Sequence, residues 1–185
     1  CLRGGSSSNL ERGVVVADNE ITGFYYYGIY MYYMDSVNVS GNIIQNGGSA
    51  TYPRGIYMYY ADGGGEIMGN DIRINGSSYG YGIYMSNNDA TQALPRTVAN
   101  NFISITSGTG SNYGIYCYNS KWQNIVFNSV NITAGSSTSR NFYLSSGANI
   151  RSFNNNLVNT GAGYAYYIST VAALIESDHN NIYTT

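Results

Sequence analysis

Gly28-Ile29-Tyr30-Met31 is written again as Gly55-Ile56-Tyr57-Met58, as Gly82-Ile83-Tyr84-Met85 and as Gly114-Ile115-Tyr116-Cys117. Two worn copies follow, Asn141-Phe142-Tyr143-Leu144 and Ala165-Tyr166-Tyr167-Ile168. The steps between first residues are 27, 27, 32, 27 and 24. A phrase that returns at such a period marks a solenoid, because one unit cannot bury its apolar face alone and stacks on its neighbours instead.

A second phrase interleaves with the first. Asn19, Asn42, Asn70, Asn101, Asn128, Asn155 and Asn180 are each followed two residues on by Ile21, Ile44, Ile72, Ile103, Val130, Leu157 and Ile182. Three residues before the Asn stand Val16, Val39, Ile67, Val98 and Ile125, then Ser152 and Ser177 in the last copies. Apolar residues thus alternate with a period of two between Gly, Asn, Ser and Asp, which is strand periodicity with turn punctuation. Ala- or Leu-rich runs that would favour helix are missing. The expected fold is all-β: a parallel β-helix (β-solenoid) of about seven coils of 23–32 residues with no α-helical domain, spanning 13–185. At the inter-strand spacing, seven coils make a rod ~30 Å long.

Alternation assigns the faces. Ile29, Ile56, Ile83, Ile115, Phe142 and Tyr166 point inward, beside Met31, Met58, Met85, Cys117, Leu144 and Ile168. The residue between them points out, and it is Tyr30, Tyr57, Tyr84, Tyr116, Tyr143 and Tyr167. The Asn column falls on the inward parity at a turn, where identical amides bond from coil to coil.

The Gly-Ile-Tyr-Met and Asn-x-Ile phrases resemble the right-handed parallel β-helix repeats of large secreted bacterial surface proteins and of carbohydrate-active enzymes that share a pectate-lyase-like scaffold. The Tyr-rich run Phe24–Tyr33 and the ending Asp178–Thr185 look most like repeat proteins exported by Bacteroidota-type bacteria. The resemblance covers the chain from about Val14 and implies a secreted or cell-surface location. It is specific for fold and not for activity, since one scaffold hosts many functions.

Composition narrows the partners. The 8 basic and 10 acidic residues give a formal net charge of −2, and the basic ones are scattered, so no stripe for nucleic acid exists. No apolar run is long enough for a transmembrane helix. Cys117 takes a slot that Met fills in three coils and reads as core filler. Cys1 is either a lipidated first residue or a boundary. Residues 1–12 lack the repeat and read as a linker or poorly ordered segment. The chain carries no evident polar cap, so end-to-end continuation with further β-helix coils is expected.

Three sites are candidates. The outward Tyr column either reinforces the sheet by ring stacking or offers a flat surface on which polysaccharide or surface-glycan rings stack, with phenol hydroxyls as hydrogen-bonding groups. The residue before each Gly is Tyr27, Arg54, Tyr81 and Tyr113, then Arg140 and Tyr164, an order that permits cation–π stacking. Seven residues after the Gly stand Asp35, Asp62 and Asp89, with Lys121 in the next coil. In register, those carboxylates lie about 5 Å apart. They then bind calcium through hard oxygen ligands, do glycosidic chemistry as a carboxyl pair, or splay into solvent in a turn that favours Asp.

The expected role is structural and adhesive, a stiff rod presenting a Tyr-rich face. The alternative is a lyase or hydrolase fragment centred on Asp62, Asp89 and Lys121, walled by the inserted loop Thr91–Arg96, with Trp122 as either a sugar platform or a half-buried packing residue. Against it, the single His179 sits among turn residues, and no nucleophile–base constellation or metal spacing is present.

Overall fold

The computed structural model describes residues 1–48, 50–76 and 78–185. It is a parallel β-solenoid of seven coils. One sheet holds seven strands, Glu20–Phe24, Ile43–Asn46, Asp71–Asn75, Phe102–Ser107, Ser129–Ile132, Asn156–Asn159 and Asn181–Thr184, each paired with its sequential neighbour. A second, 13-stranded sheet wraps the other two sides of the coil. In the early coils its strands run unbroken round a corner, as Tyr27–Ser40 and Arg54–Met68. In later coils the same path is cut in two, as in Asn112–Tyr118 and Gln123–Val126. Among the described residues there is no α-helix, only a 3-10 turn at Val171–Ala173.

The register follows the repeated phrase. Ile29 pairs with Ile56, Ile56 with Ile83, Ile83 with Ile115, Ile115 with Phe142 and Phe142 with Tyr166. A register slip by one residue would turn every apolar side chain outward, so burial fixes the alignment. The core is a set of stacks: Met31, Met58, Met85 and Cys117 are sealed from solvent, as are Ile44, Ile72 and Ile103 on the opposite sheet. The step of 32 residues is absorbed outside the tube. Thr91–Leu94 are exposed and close on themselves, Leu94 N donating to Thr91 Oγ1 at 3.2 Å, while Asp89 still bridges Lys121 in parallel.

The glycine of the first phrase is a packing requirement. A Cβ on Gly82 would strike the γ-methyl of Ile103 and lie 2.6 Å from the carbonyl oxygen of Gly114. Where the later copy carries Asn141 instead, that side chain is buried and donates to Val130 O at 2.8 Å and Val158 O at 2.7 Å.

The turn between the second and third sides of the coil is held by asparagine. The amide nitrogens of Asn19, Asn42, Asn70, Asn101, Asn128 and Asn155 each donate to Oδ1 of the next Asn at 2.9–3.0 Å. The same Oδ1 accepts the backbone N–H of the previous Asn at 3.0–3.2 Å. The second amide hydrogen reaches a carbonyl of the preceding coil, as from Asn101 to Ile67 O at 2.8 Å. Each interior amide therefore uses both donors and both lone pairs, the condition under which burying it is tolerable. The residue before every Asn is left-handed: Asp18, Gly41, Gly69, Asn100, Phe127, Asn154 and His179, with φ of 55, 64, 65, 53, 56, 53 and 52°. Gly, Asn and Asp suit that conformation, whereas Phe127 pays for it sterically.

Residues 1–12 contain two short strands. Leu2–Arg3 lies parallel to Met31–Tyr32, and Glu11–Arg12 to Met34–Asp35. A linker reading of this segment has to accommodate both pairings.

Candidate functional site

The first side of the coil carries the Tyr column. Tyr30 stacks on Tyr57 at 5.0 Å between ring centroids, Tyr57 on Tyr84 at 4.9 Å, Tyr84 on Tyr116 at 4.7 Å and Tyr116 on Tyr143 at 4.6 Å, with interplanar angles of 4–20°. Tyr167 ends the row edge-on to Tyr143, at 5.4 Å and 70°. All six rings are half-buried. Offset stacking at these separations adds about 0.5–1.5 kcal/mol per pair beyond burial.

Two further columns widen the row into a tiled face. Tyr32 stacks on Tyr59 at 5.1 Å on one flank. On the other, Tyr81 stacks on Tyr113 at 5.0 Å, and Arg54 and Arg140 occupy the same column. The Arg54 guanidinium carbon lies 5.4, 5.3 and 5.0 Å from the ring centroids of Tyr27, Tyr57 and Tyr81. Arg140 lies 4.6 Å from Tyr143 and 4.2 Å from Tyr167. These are cation–π distances. The Tyr face is a phenol surface, not a phenolate one: burial first, then repulsion from neighbouring rings, pushes Tyr81 up to about 12 and raises Tyr57 and Tyr116 further. Tyr143 is the exception. Burial raises it, but hydrogen bonds from Ser145 and Ser169 and the Arg140 charge outweigh that and bring it below the ordinary tyrosine value.

The Asp column keeps its register, Asp35 pairing with Asp62 and Asp89 bridging Lys121. It runs between two cations. Arg12 Nε lies 2.9 Å from Asp35, and Lys121 Nζ lies 2.5 Å from Asp89. The middle carboxylate, Asp62, accepts the backbone N–H of Asp89 at 2.9 Å. Burial raises its carboxyl above the usual range, and Asp89 and Asp35 add repulsion. Among the described residues no three His, Cys, Asp or Glu side chains are grouped to hold a metal ion. The carboxylates sit in a chain of alternating partners rather than around a point. Lys121 is a poor candidate for a general base, because its hydrogen bond to Asp89 raises its pKa when such a role needs it lowered.

Beneath this column lies a residue that motif reading passed over. Arg96 is fully buried, and its Nη2 faces the carbonyl oxygens of Ala61, Asp62, Gly63 and Gly64 at 2.8, 3.1, 3.2 and 3.4 Å. Desolvation lowers its pKa to about 10, with Asp62 and Asp35 opposing. Its register partner in the preceding coil is Gly65, which leaves the interior room that the guanidinium fills. Expected at the end of a loop walling a groove, Arg96 is instead turned into the interior, and the signal for that was Gly63-Gly64-Gly65 one coil before it. Trp122 is half-buried and His179 exposed, its Nδ1 3.0 Å from Asp178. Cys117 is core, its thiol pushed up to about 12 by burial.

On the third side, Gln45, Arg73, Ile74, Asn75, Ser104 and Thr106 line a shallow groove of about 180 Å³. Sites for small molecules are usually larger, and Arg73 there is held by Asp71 at 3.1 and 2.6 Å. The Tyr face is the more developed surface.

Comparison with known proteins gives one family. A family model described as periplasmic copper-binding protein (NosD) matches residues 3–104. No curated protein and no solved structure matches the chain.

Proposed function

This chain belongs to the periplasmic copper-binding protein (NosD) family, and from that footing we propose that it is a rigid β-solenoid segment at the cell exterior whose Tyr face binds glycans. The observation that supports this most is the tiled aromatic surface itself. Its flat rings match the apolar faces of sugars, and their un-ionised hydroxyls donate and accept at neutral pH. Ring stacking within the face fixes the side chains in advance, so a ligand orders little on arrival. The family's location fits an extracytoplasmic role, and no helix of the described residues is long and apolar enough to cross a membrane.

The copper in the family's description does not fit these residues. Soft copper sites draw on Cys and Met, and other copper sites on imidazole. Here Met31, Met58, Met85 and Cys117 form a sealed core stack, the Cys117 thiol stays protonated far above neutral pH, and the exposed Cys1 belongs to no group of three His, Cys, Asp or Glu side chains among the described residues. The single His179 lies in an exposed turn beside Asp178. No step of the proposed function passes through copper.

The test is affinity electrophoresis and calorimetry against a panel of neutral polysaccharides. Tyr57→Ala combined with Tyr84→Ala should weaken binding at least about tenfold, since base- and sugar-sized aromatic stacking is worth roughly 1–3 kcal/mol per ring. Unchanged affinity in that variant, with the fold intact by circular dichroism, would remove the Tyr face from the account. Release of reducing ends or unsaturated products would favour an enzyme instead.

A further inference from the structure

From the placement of two arginines in the Tyr face we infer that its ligand is an anionic polysaccharide, bearing carboxylate or sulfate groups, laid along the solenoid axis with two of its charges seated at Arg54 and Arg140. The inference rests on the glycan reading above and specifies its ligand.

Arg54 and Arg140 lie in one column with Tyr27, Tyr81, Tyr113 and Tyr164, three coils apart. At the inter-strand spacing they are about 14 Å from each other. Four of the six positions in this column are Tyr, so stacking alone does not call for arginine there. Neither guanidinium meets a carboxylate. The ion pairs among the described residues engage Arg12, Arg73, Lys121, Arg151 and His179 instead. The six strands that build the face contain no Asp or Glu between Tyr27 and Tyr32 or at the equivalent positions of later coils.

Hydrogen bonding leaves the same vacancy. Among the described residues the Arg54 guanidinium has no hydrogen-bond partner, and its Nε is buried against the rings. Arg140 spends Nη1 on Thr138 O at 3.0 Å and Tyr113 Oη at 3.4 Å, while its Nε is likewise buried and unpartnered. A guanidinium is a fork of five donors suited to carboxylate and sulfate oxygens. Held on an aromatic floor, each presents terminal nitrogens without a partner among the described residues, both of Arg54 and Nη2 of Arg140, and these rather than the buried Nε atoms are the donors an oxyanion meets. The Tyr30–Tyr143 stack runs parallel to this column, so a chain that follows the rings passes both cations.

The experiment uses two matched pairs of probes: alginate against its propylene glycol ester, and dextran sulfate against dextran. Affinities are measured by calorimetry at about 0.05 M and about 1 M salt, where the screening length falls to roughly 3 Å. The expected result is at least about tenfold tighter binding of the charged member of one pair at low salt, collapsing at high salt. Which pair shows it separates carboxylate from sulfate recognition. The deciding variant is Arg54→Tyr with Arg140→Tyr, which removes both charges yet completes a column already filled by Tyr elsewhere. It should keep binding to the uncharged member and lose the preference. Equal binding of charged and uncharged members by the parent chain overturns the anionic ligand and leaves the glycan reading standing. Retention of the preference in the double variant overturns the assignment to Arg54 and Arg140. Absence of binding to all four probes overturns both readings together.

Discussion

Replacing Asn101 by Ala tests the physical claim on which the fold rests. Asn101 Nδ2 donates to Asn128 Oδ1 at 2.9 Å and to Ile67 O at 2.8 Å, and its Oδ1 accepts Asn70 N at 3.1 Å and Asn70 Nδ2 at 2.9 Å. All these groups are buried, so alanine takes away four bonds where water cannot replace them. Asn70 keeps a bond from its amide to Val39 O, but its backbone N–H is left without an acceptor, and Ile67 O loses a donor. At about 1–3 kcal/mol for each orphaned group, the loss is about 2–6 kcal/mol. That is a large part of the ~5–15 kcal/mol that holds a typical domain together. The control is Asn19→Ala at the first rung. Asn19 is exposed, its amide donates to Asn42 Oδ1 and Ala17 O, and nothing among the described residues donates to its Oδ1. Its loss should come to about 1 kcal/mol. Guanidinium unfolding followed by circular dichroism gives both midpoints, and solenoids that unravel coil by coil are best compared by midpoint. Equal, small shifts in the two variants would refute the claim that buried amide satisfaction, rather than apolar stacking alone, fixes the coil.

Other perturbations follow from the same geometry. Phe127 is 57% exposed and left-handed at φ 56°, in a slot where other coils place Gly, Asn, Asp or His, so Phe127→Asn should raise the melting midpoint, by about 0.5–1 kcal/mol of stability. Cys117 should resist alkylation at pH 8 in the folded chain while exposed Cys1 reacts, and both should react in denaturant; mass spectrometry reads the two states. Asp62 has a folded-state pKa raised by burial, so the native chain holds that proton more tightly than the unfolded one. Its contribution to stability therefore falls as pH climbs from the ordinary carboxylate value through the raised one. Asp62→Asn keeps an acceptor for the Asp89 N–H and should be the more stable form at pH 7, the two converging at about pH 3; a parent that gains on the variant as pH rises across that range would contradict the sign.

The sequence made the solenoid legible because each coil repeats the same constraints in the same order. Ile29, Ile56, Ile83 and Ile115 occupy one stack, and the amides from Asn19 to Asn180 one ladder, since a parallel register puts like residues on like. Periodicity reports what is common to every coil. It is blind to what happens once. Arg12 beside Asp35 comes from a segment outside the repeat, and Arg96 over Gly65 comes from the coil with the insertion. Both changed the reading of the Asp column, from three carboxylates seeking a counter-ion to three set among Arg12, Arg96 and Lys121.

The Tyr face shows the same division at the level of function. A column that is Tyr in six successive coils also serves the coil, because each ring packs on its neighbours, stacked from Tyr30 to Tyr143 and edge-on at Tyr167. Information about a partner must reside where the column departs from its own rule. Arg54 and Arg140 are those departures on the adjacent row, and among the described residues neither guanidinium is paired with a carboxylate. A stack interrupted for stability alone would favour another ring, which gains from both neighbours and needs no hydrogen bonds beyond its hydroxyl. Two guanidiniums kept without carboxylates are therefore better explained by something that arrives from outside, and the charge it carries is opposite to theirs.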